Sequence, residues 1–198
     1  NVHIALFARR PYAGPMSHPK CSAIQYIDFL IATPKAASCC EAARSQPPAR
    51  DPAAHDAFTR LLHRLEPDPE TLYRESEPLV NKDDGVLVLD DSTLDKFYAK
   101  AIKPVHRHWS GKHKSVVRGI NLISMVWTDG DRIMPLDYRI YDKPNDRLTK
   151  NDHFRAMVAT AMRRGFHPRA VLFDSWYSGL ENLKFVRSSG WTFLTQLK

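Results

Sequence analysis

Cysteine is scarce in this chain of 198 residues: Cys21 and the adjacent Cys39 and Cys40 are its only thiols. Three thiols with no CxxC spacing exclude a secreted disulfide scaffold and a zinc ribbon, and they fit a reducing cytoplasm. Long hydrophobic runs are missing too. No stretch approaches the ~20 apolar residues that cross a bilayer, and the opening NVHIALFARRPYAGP lacks the apolar core and cleavage pattern of a signal peptide. No membrane partner is expected. Acidic charge is in deficit, 22 Asp and Glu against 29 Lys and Arg, for a net charge of +7. A surplus of that size favours a polyanionic partner, nucleic acid first. Apolar residues are plentiful at 43%, enough for one solid core or a core plus a small helical module.

The chain opens at Asn1 and not at a methionine, Met16 begins a stretch that reads more like a natural start, and Lys198 follows directly on a strand-like run. Both ends read as those of a fragment, with residues 1–22 as a disordered or non-native leader. Residues 23–81 read as short helices separated by proline-bearing turns at Pro34 and in PPARDP. Asp51-Pro52 offers a cap and a first-turn proline to a helix whose Phe58, Leu61, Leu62 and Leu65 fall at i, i+3, i+4 and i+7. Asp68-Pro69 repeats the device before a second amphipathic helix containing Leu72, Leu79 and Val80. The segment from Pro34 to Leu65 therefore predicts helix, tight turn, helix, with Arg60, His63 and Arg64 off the buried stripe. That is either a helix-turn-helix for a DNA major groove or an ordinary helical hairpin with a solvated basic face.

From Lys82 the texture changes. GVLVLD is a continuous apolar run ending in acid, the pattern of a strand buried on both faces. GINLISMVW is a second run, joined through Asp129-Gly130 to RIMPLDYRIY as a hairpin. A helix from about Thr149 to Arg164 presents Phe154, Met157, Val158, Ala161 and Met162 on one face and stops at Gly165. RAVLFD, a helix from Ser178 to about Ser189, and the strand WTFLTQLK follow. The fold class this order predicts is α/β: a ribonuclease H-like mixed sheet over residues 82–198, lacking its last helix, preceded by the small all-α domain. In such a core the first and fourth strands are neighbours, so acids at their ends converge.

Those acids are the Asp90-Asp91 pair and Asp174. Cleaving or transferring a phosphodiester needs an aligned nucleophile and charge stabilisation at both oxygens, which two Mg²⁺ ions about 4 Å apart supply. Magnesium takes hard oxygen ligands and keeps several waters, so a few rigid carboxylates suffice. Read singly, each is an ordinary strand-end or capping aspartate; two apolar runs that both end in Asp, in this order, favour a site. Adjacent strand residues face opposite ways, so only one of the pair can point into it. Asp90, which directly ends VLVL, is favoured as the metal ligand beside Asp174, with Asp91 close behind. Glu181 has the S-x-x-E spacing of a capping box with Ser178, a structural job. The stretch KPVHRHWSGKHKSVVRG predicts a flexible basic loop on DNA phosphates, with Lys96, Arg107, His108, Lys112, Lys114 and Arg118 as contacts and Trp109 free to stack or pack. The alternative is a solvated loop; zinc binding by His106, His108 and His113 is disfavoured without a cysteine nearby.

LVLDDSTLDKFYAK, HRHWSGKHKSVVRGINLIS and VLFDSWYSGLENLKFVRSSGWTFLTQLK resemble the DDE transposases of bacterial insertion sequences, nearest the IS701 type within the IS4-like set. QYIDFLIATPKAASCCEAAR and HDAFTRLLHRLEPDPETLY resemble the N-terminal helical region of the same type. The resemblance implies hydrolysis at the ends of a mobile element, then attack of the freed 3′-hydroxyl on target DNA. It also implies Mg²⁺ or Mn²⁺ held by two aspartates and a glutamate, a possible homodimer on DNA, and a bacterial, nucleoid-associated location. The first aspartate matches Asp90 or Asp91 and the second Asp174. The glutamate belongs to a helix beyond the last strand, so this chain alone is expected not to cleave DNA. Two other readings are a non-catalytic fragment that occupies element ends as a repressor, and a decayed gene product.

Overall fold

The computed structural model describes residues 19–34, 37–111 and 113–196. Residues 1–18 of the expected leader and the candidate contact Lys112 lie outside the described residues; the leader's last residues, against expectation, belong to the first unit, with Cys21 buried and Ser22 capping a helix. The chain forms two compact units that divide between Glu66 and Pro67.

Among the described residues the first unit holds three helices, α1 (Ala23–Ala32), α2 (Cys39–Arg44) and α3 (His55–Arg64). Ser22 and Gln25 cap α1 reciprocally, and Ser38 caps α2. A thin core of Cys21, Phe29, Ala42, Ala53, Ala57, Phe58 and Leu61 joins them. Three details differ from the sequence reading. Asp51 does not cap α3; it binds the Lys20 ammonium at 2.6 Å, and α3 starts after Ala54 with no side-chain cap. No tight turn links α2 to α3, because Gln46 bonds the backbone of Ala53 in both directions, at 2.6 and 3.1 Å, and holds a wider connection. The buried stripe is Ala57, Phe58 and Leu61, while Leu62 and Leu65 are exposed. Arg60, His63 and Arg64 are exposed as expected, and Arg60 is ion-paired with Asp56.

The second unit opens with α4 (Pro69–Ser76), where Asp68 accepts the N–H groups of Glu70 and Thr71. The helix stops at Ser76 and passes into one 3₁₀ turn, Glu77–Leu79, because Pro78 removes a backbone donor. Leu79 is consequently exposed and does not extend the apolar face. α4 packs on the sheet, with Tyr73 buried in the main core and the Arg164 guanidinium 3.8 Å from its ring. It therefore travels with the sheet, whereas the sequence reading drew the domain line at residue 81.

Six strands follow: β1 (Val86–Asp95), β2 (His106–Ser110), β3 (Ser115–Thr128), β4 (Ile133–Tyr141), β5 (Ala170–Phe173) and β6 (Phe193–Thr195). β3 pairs antiparallel with β1 along one edge and with β2 and β4, end to end, along the other. β5 lies parallel to β1, and β6 parallel to β5. This mixed sheet, with its first strand beside its late parallel strand, has the order expected of a ribonuclease H-like core. After β4 comes the short α5 (Lys143–Asp146). Leu87, Leu89, Ile123, Met125, Trp127, Val171 and Phe173 bury one face against Phe154, Met157, Val158 and Ala161 of α6 (Lys150–Arg163) and Val186 of α7 (Leu180–Ser188). Gly85, at φ 81°, opens β1 where a Cβ would meet the Trp127 ring at 2.4 Å. That close approach lets the Trp127 indole donate to the Asp84 carbonyl at 2.8 Å.

The basic stretch expected as a flexible loop is a β-hairpin. His106, His108 and Ser110 turn inward and Arg107 and Trp109 outward, a period-two pattern, and β2 pairs with Ser115–Gly119. β1 likewise runs five residues past Asp90, to Asp95, because β3 is long enough to pair with all of it.

Candidate active site

β1 and β5 are in register up to Leu89 and Phe173. The next residues are Asp90 and Asp174, so the parallel strands deliver both to the same end of the sheet. β5 stops there while β1 continues, and a cleft of about 810 Å³ opens at the step. Both members of the aspartate pair line it, together with Asp174, Arg107, Lys150 and Trp176. Strand alternation predicted that one of the pair would be turned away. Past the end of β5 the free edge of β1 gives the cleft access to both faces.

The three carboxylates differ in their surroundings. Asp91 is mostly buried: Asn121 Nδ2 and Lys150 Nζ donate to its Oδ2 at 2.7 and 2.8 Å, and the Tyr177 hydroxyl donates to its Oδ1 at 3.1 Å. Burial alone would push its pKa up, but the hydrogen bonds and the Lys150 charge outweigh burial and hold it below the usual carboxylate range. Asp90 is an exposed residue that accepts the Asp91 N–H at 2.7 Å. Its carboxyl is raised above the usual range, first by partial burial against the cleft wall and then by the charges of Asp91 and Asp174. Asp174 caps the 3₁₀ turn Ser175–Tyr177, accepting the Trp176 N–H at 2.8 Å. Tyr177 is fully buried and stacked on Phe154 at 5.3 Å; burial and the neighbouring aspartates push its hydroxyl far up, so it acts as a fixed donor.

Sequence reasoning missed Asn121, Lys150 and Tyr177. Asn121 had a signal: a lone amide inside an apolar strand must find a partner when buried. Lys150 had none, because the first position of an amphipathic helix is usually solvated. Glu181 corrects another expectation. Gly179, not Ser178, is the N-cap of α7 and no capping box forms; Glu181 pairs loosely with Lys184 at 3.6 Å, and it is not among the residues that line the aspartate cleft.

The basic candidates separate as well. Arg107 and Arg118 are exposed cross-strand partners on the outer face of the hairpin, next to Trp109, which is 61% exposed. The backbone of Lys96 bonds the Arg118 carbonyl at 2.9 Å, and Lys114 forms the turn at φ 47°; both are exposed. His108 does not belong with them. It is 9% exposed and packs 5.9 Å from the Tyr141 ring. Burial first, then the Lys150 charge, lower its pKa, which favours a neutral ring and not a phosphate-binding imidazolium.

The donor set suits a hard divalent cation: Asp90 and Asp174 offer carboxylate oxygens at the same end of the sheet. Asp91 is engaged by Lys150, and among the described residues no three His, Cys, Asp or Glu side chains are grouped to hold a metal by themselves. Among the described residues no helix is long and apolar enough to cross a membrane.

A family model described as "DDE superfamily endonuclease" matches residues 19–198. No curated protein matches the chain significantly in sequence. Among solved structures, similarity extends to a piggyBac transposase synaptic complex with hairpin DNA, at 13% identity and a TM-score of 0.44, covering 74% of this chain and 34% of that one. It extends also to the Mos1 strand transfer complex, at 10% identity and a TM-score of 0.35, covering 96% of this chain and 61% of that one. A Mos1 transposase paired-end complex with the left transposon end matches at 9% identity and a TM-score of 0.31, covering 94% and 61%. The chain thus spans between a third and three-fifths of the length of these proteins.

Proposed function

The chain belongs to the DDE superfamily endonucleases, and on that premise we propose that it carries part of the catalytic core of a transposase that cleaves and joins DNA at the ends of an insertion sequence. The observation that carries this reading is the convergence of Asp90, Asp91 and Asp174 on one cleft where β1 and β5 part. Asp90 and Asp174 would hold Mg²⁺ or Mn²⁺, while Asp91, on the same cleft, is held by Lys150. The ion would polarise the scissile phosphate and lower the pKa of an attacking water. The protein's own groups do the rest. Asn121 and Tyr177 fix the Asp91 carboxylate, the outer-shell support that orients a ligand. Arg107 and Arg118 bind the DNA backbone, as would Lys96, Lys114 and, on the first unit, Arg60, His63 and Arg64. A homodimer on paired DNA ends fits a reaction that joins two ends.

The resemblance implies a third acid, a glutamate on a helix after β6, so the test uses an enzyme that carries such a helix: strand cleavage of a duplex bearing the matching element end, in Mg²⁺ and in chelator. Mg²⁺-dependent nicking that Asp174→Asn abolishes is expected. Nicking that survives Asp174→Asn, or proceeds in chelator, overturns the proposal.

A further inference from the structure

Lys150 is the first residue of α6, where the helix dipole disfavours a cation. It is nonetheless enclosed, with its side chain 15% exposed and that of Asp91 17% exposed. Its ammonium donates to Asp91 Oδ2 at 2.8 Å and lies 5.7 Å from the Tyr141 ring centroid and 5.4 Å from that of Trp176. Asn121 donates to the same Oδ2 and Tyr177 to Oδ1, so both acceptor directions of Oδ2 are taken while the ammonium stays. The ammonium thus fills the cation position of a carboxylate at the edge of an acidic cluster.

We propose, resting on the metal-site reading above, that Lys150 is a stand-in cation. It holds the Asp91 position in the metal-free protein, and a divalent ion displaces it into the cleft, where a DNA phosphate becomes its new partner. An ammonium and a divalent ion compete for the same oxygen, because two cations on one carboxylate oxygen repel each other. The lysine is suited to the exchange: its four-carbon stem is flexible and its point charge takes a phosphate without fixed geometry. The aromatic faces of Tyr141 and Trp176 line the path and stabilise the cation along it. Metal and DNA binding are then positively coupled, each making room for the other, and the coupling is reciprocal.

The test is Mn²⁺ affinity of the whole chain, read from the electron paramagnetic resonance signal of free Mn²⁺. Lys150→Met should bind Mn²⁺ tighter by about tenfold or more, since no ammonium has to leave, while Lys150→Arg stays near wild type. Unchanged or weaker binding by a folded Lys150→Met overturns the proposal. A second measurement needs no variant. Acetylation of Lys150 by an amine-reactive reagent, read by mass spectrometry, should rise several-fold when Mn²⁺ is added to the wild type; protection that persists while Mn²⁺ binds overturns it. Mn²⁺ binding by neither wild type nor Lys150→Met, or binding indifferent to Asp174→Asn, would instead overturn the metal-site reading on which the proposal rests.

Discussion

Replacing Asp91 with asparagine keeps the size of the side chain and removes its charge. Lys150, 15% exposed, is left without its counter-ion, and one of the acceptor oxygens shared by Asn121, Lys150 and Tyr177 becomes an amide nitrogen. Removing one partner of a buried pair costs about 3–5 kcal/mol. Neither side chain is wholly enclosed, so the lower end applies, about 3 kcal/mol. For a unit of this size that corresponds to a fall in Tm of about 10 °C, measured by calorimetry in chelator. The Asp91 carboxyl is held below the usual range, so its contribution is fully present above the unfolded carboxylate value of about 3.9. It disappears as the pH falls through the depressed folded value. The gap in Tm between wild type and variant should therefore close on acidification. Adding Lys150→Met should recover part of the loss, because no unpaired charge remains. An Asp91→Asn protein as stable as wild type at neutral pH, or a gap that widens in acid, would refute the reasoning.

Asp90 carries the opposite sign. Its carboxyl is raised, so its ionisation opposes folding at neutral pH, and Asp90→Asn should raise the melting temperature in chelator; a clear decrease would contradict this. Gly119 sits where a Cβ would lie 2.5 Å from the Leu94 carbonyl oxygen, while a Cβ at Gly111 would meet nothing within 4 Å. Gly119→Ala should cost about 1–3 kcal/mol in urea unfolding, with Gly111→Ala as a nearly silent control. Arg107→Ala and Arg118→Ala should each weaken duplex binding without regard to sequence and reduce the salt slope by about one. Fluorescence anisotropy at several salt concentrations checks this, and an unchanged slope would remove both from the DNA interface.

Much of the second unit was legible because its signals are local. Continuous apolar runs marked β1, β3 and β5, Asp129-Gly130 marked the hairpin, and the spacing of Phe154, Met157, Val158 and Ala161 marked α6. The convergence of Asp90 and Asp174 followed from strand order alone. β2 escaped because its alternation is carried by histidines and basic residues, which a hydrophobicity reading scores as loop; burial of His108 and Ser110 decides the strand. The ties to Asp91 from Lys150 and Tyr177 span 59 and 86 residues, and no periodicity reports pairs so distant. In the first unit the proline-based cap at Asp51 failed because α3 starts only after Ala54, and Asp51 faces Lys20 instead.

The central claim, a divalent cation at the parting of β1 and β5, is tested most directly by loading Fe²⁺ in place of Mg²⁺ and mapping where ascorbate and peroxide cut the polypeptide. The account predicts cuts beside Asp90-Asp91 and beside Asp174, suppressed by excess Mg²⁺ and by Asp174→Asn. Cuts elsewhere, or a pattern indifferent to Asp174, would contradict it.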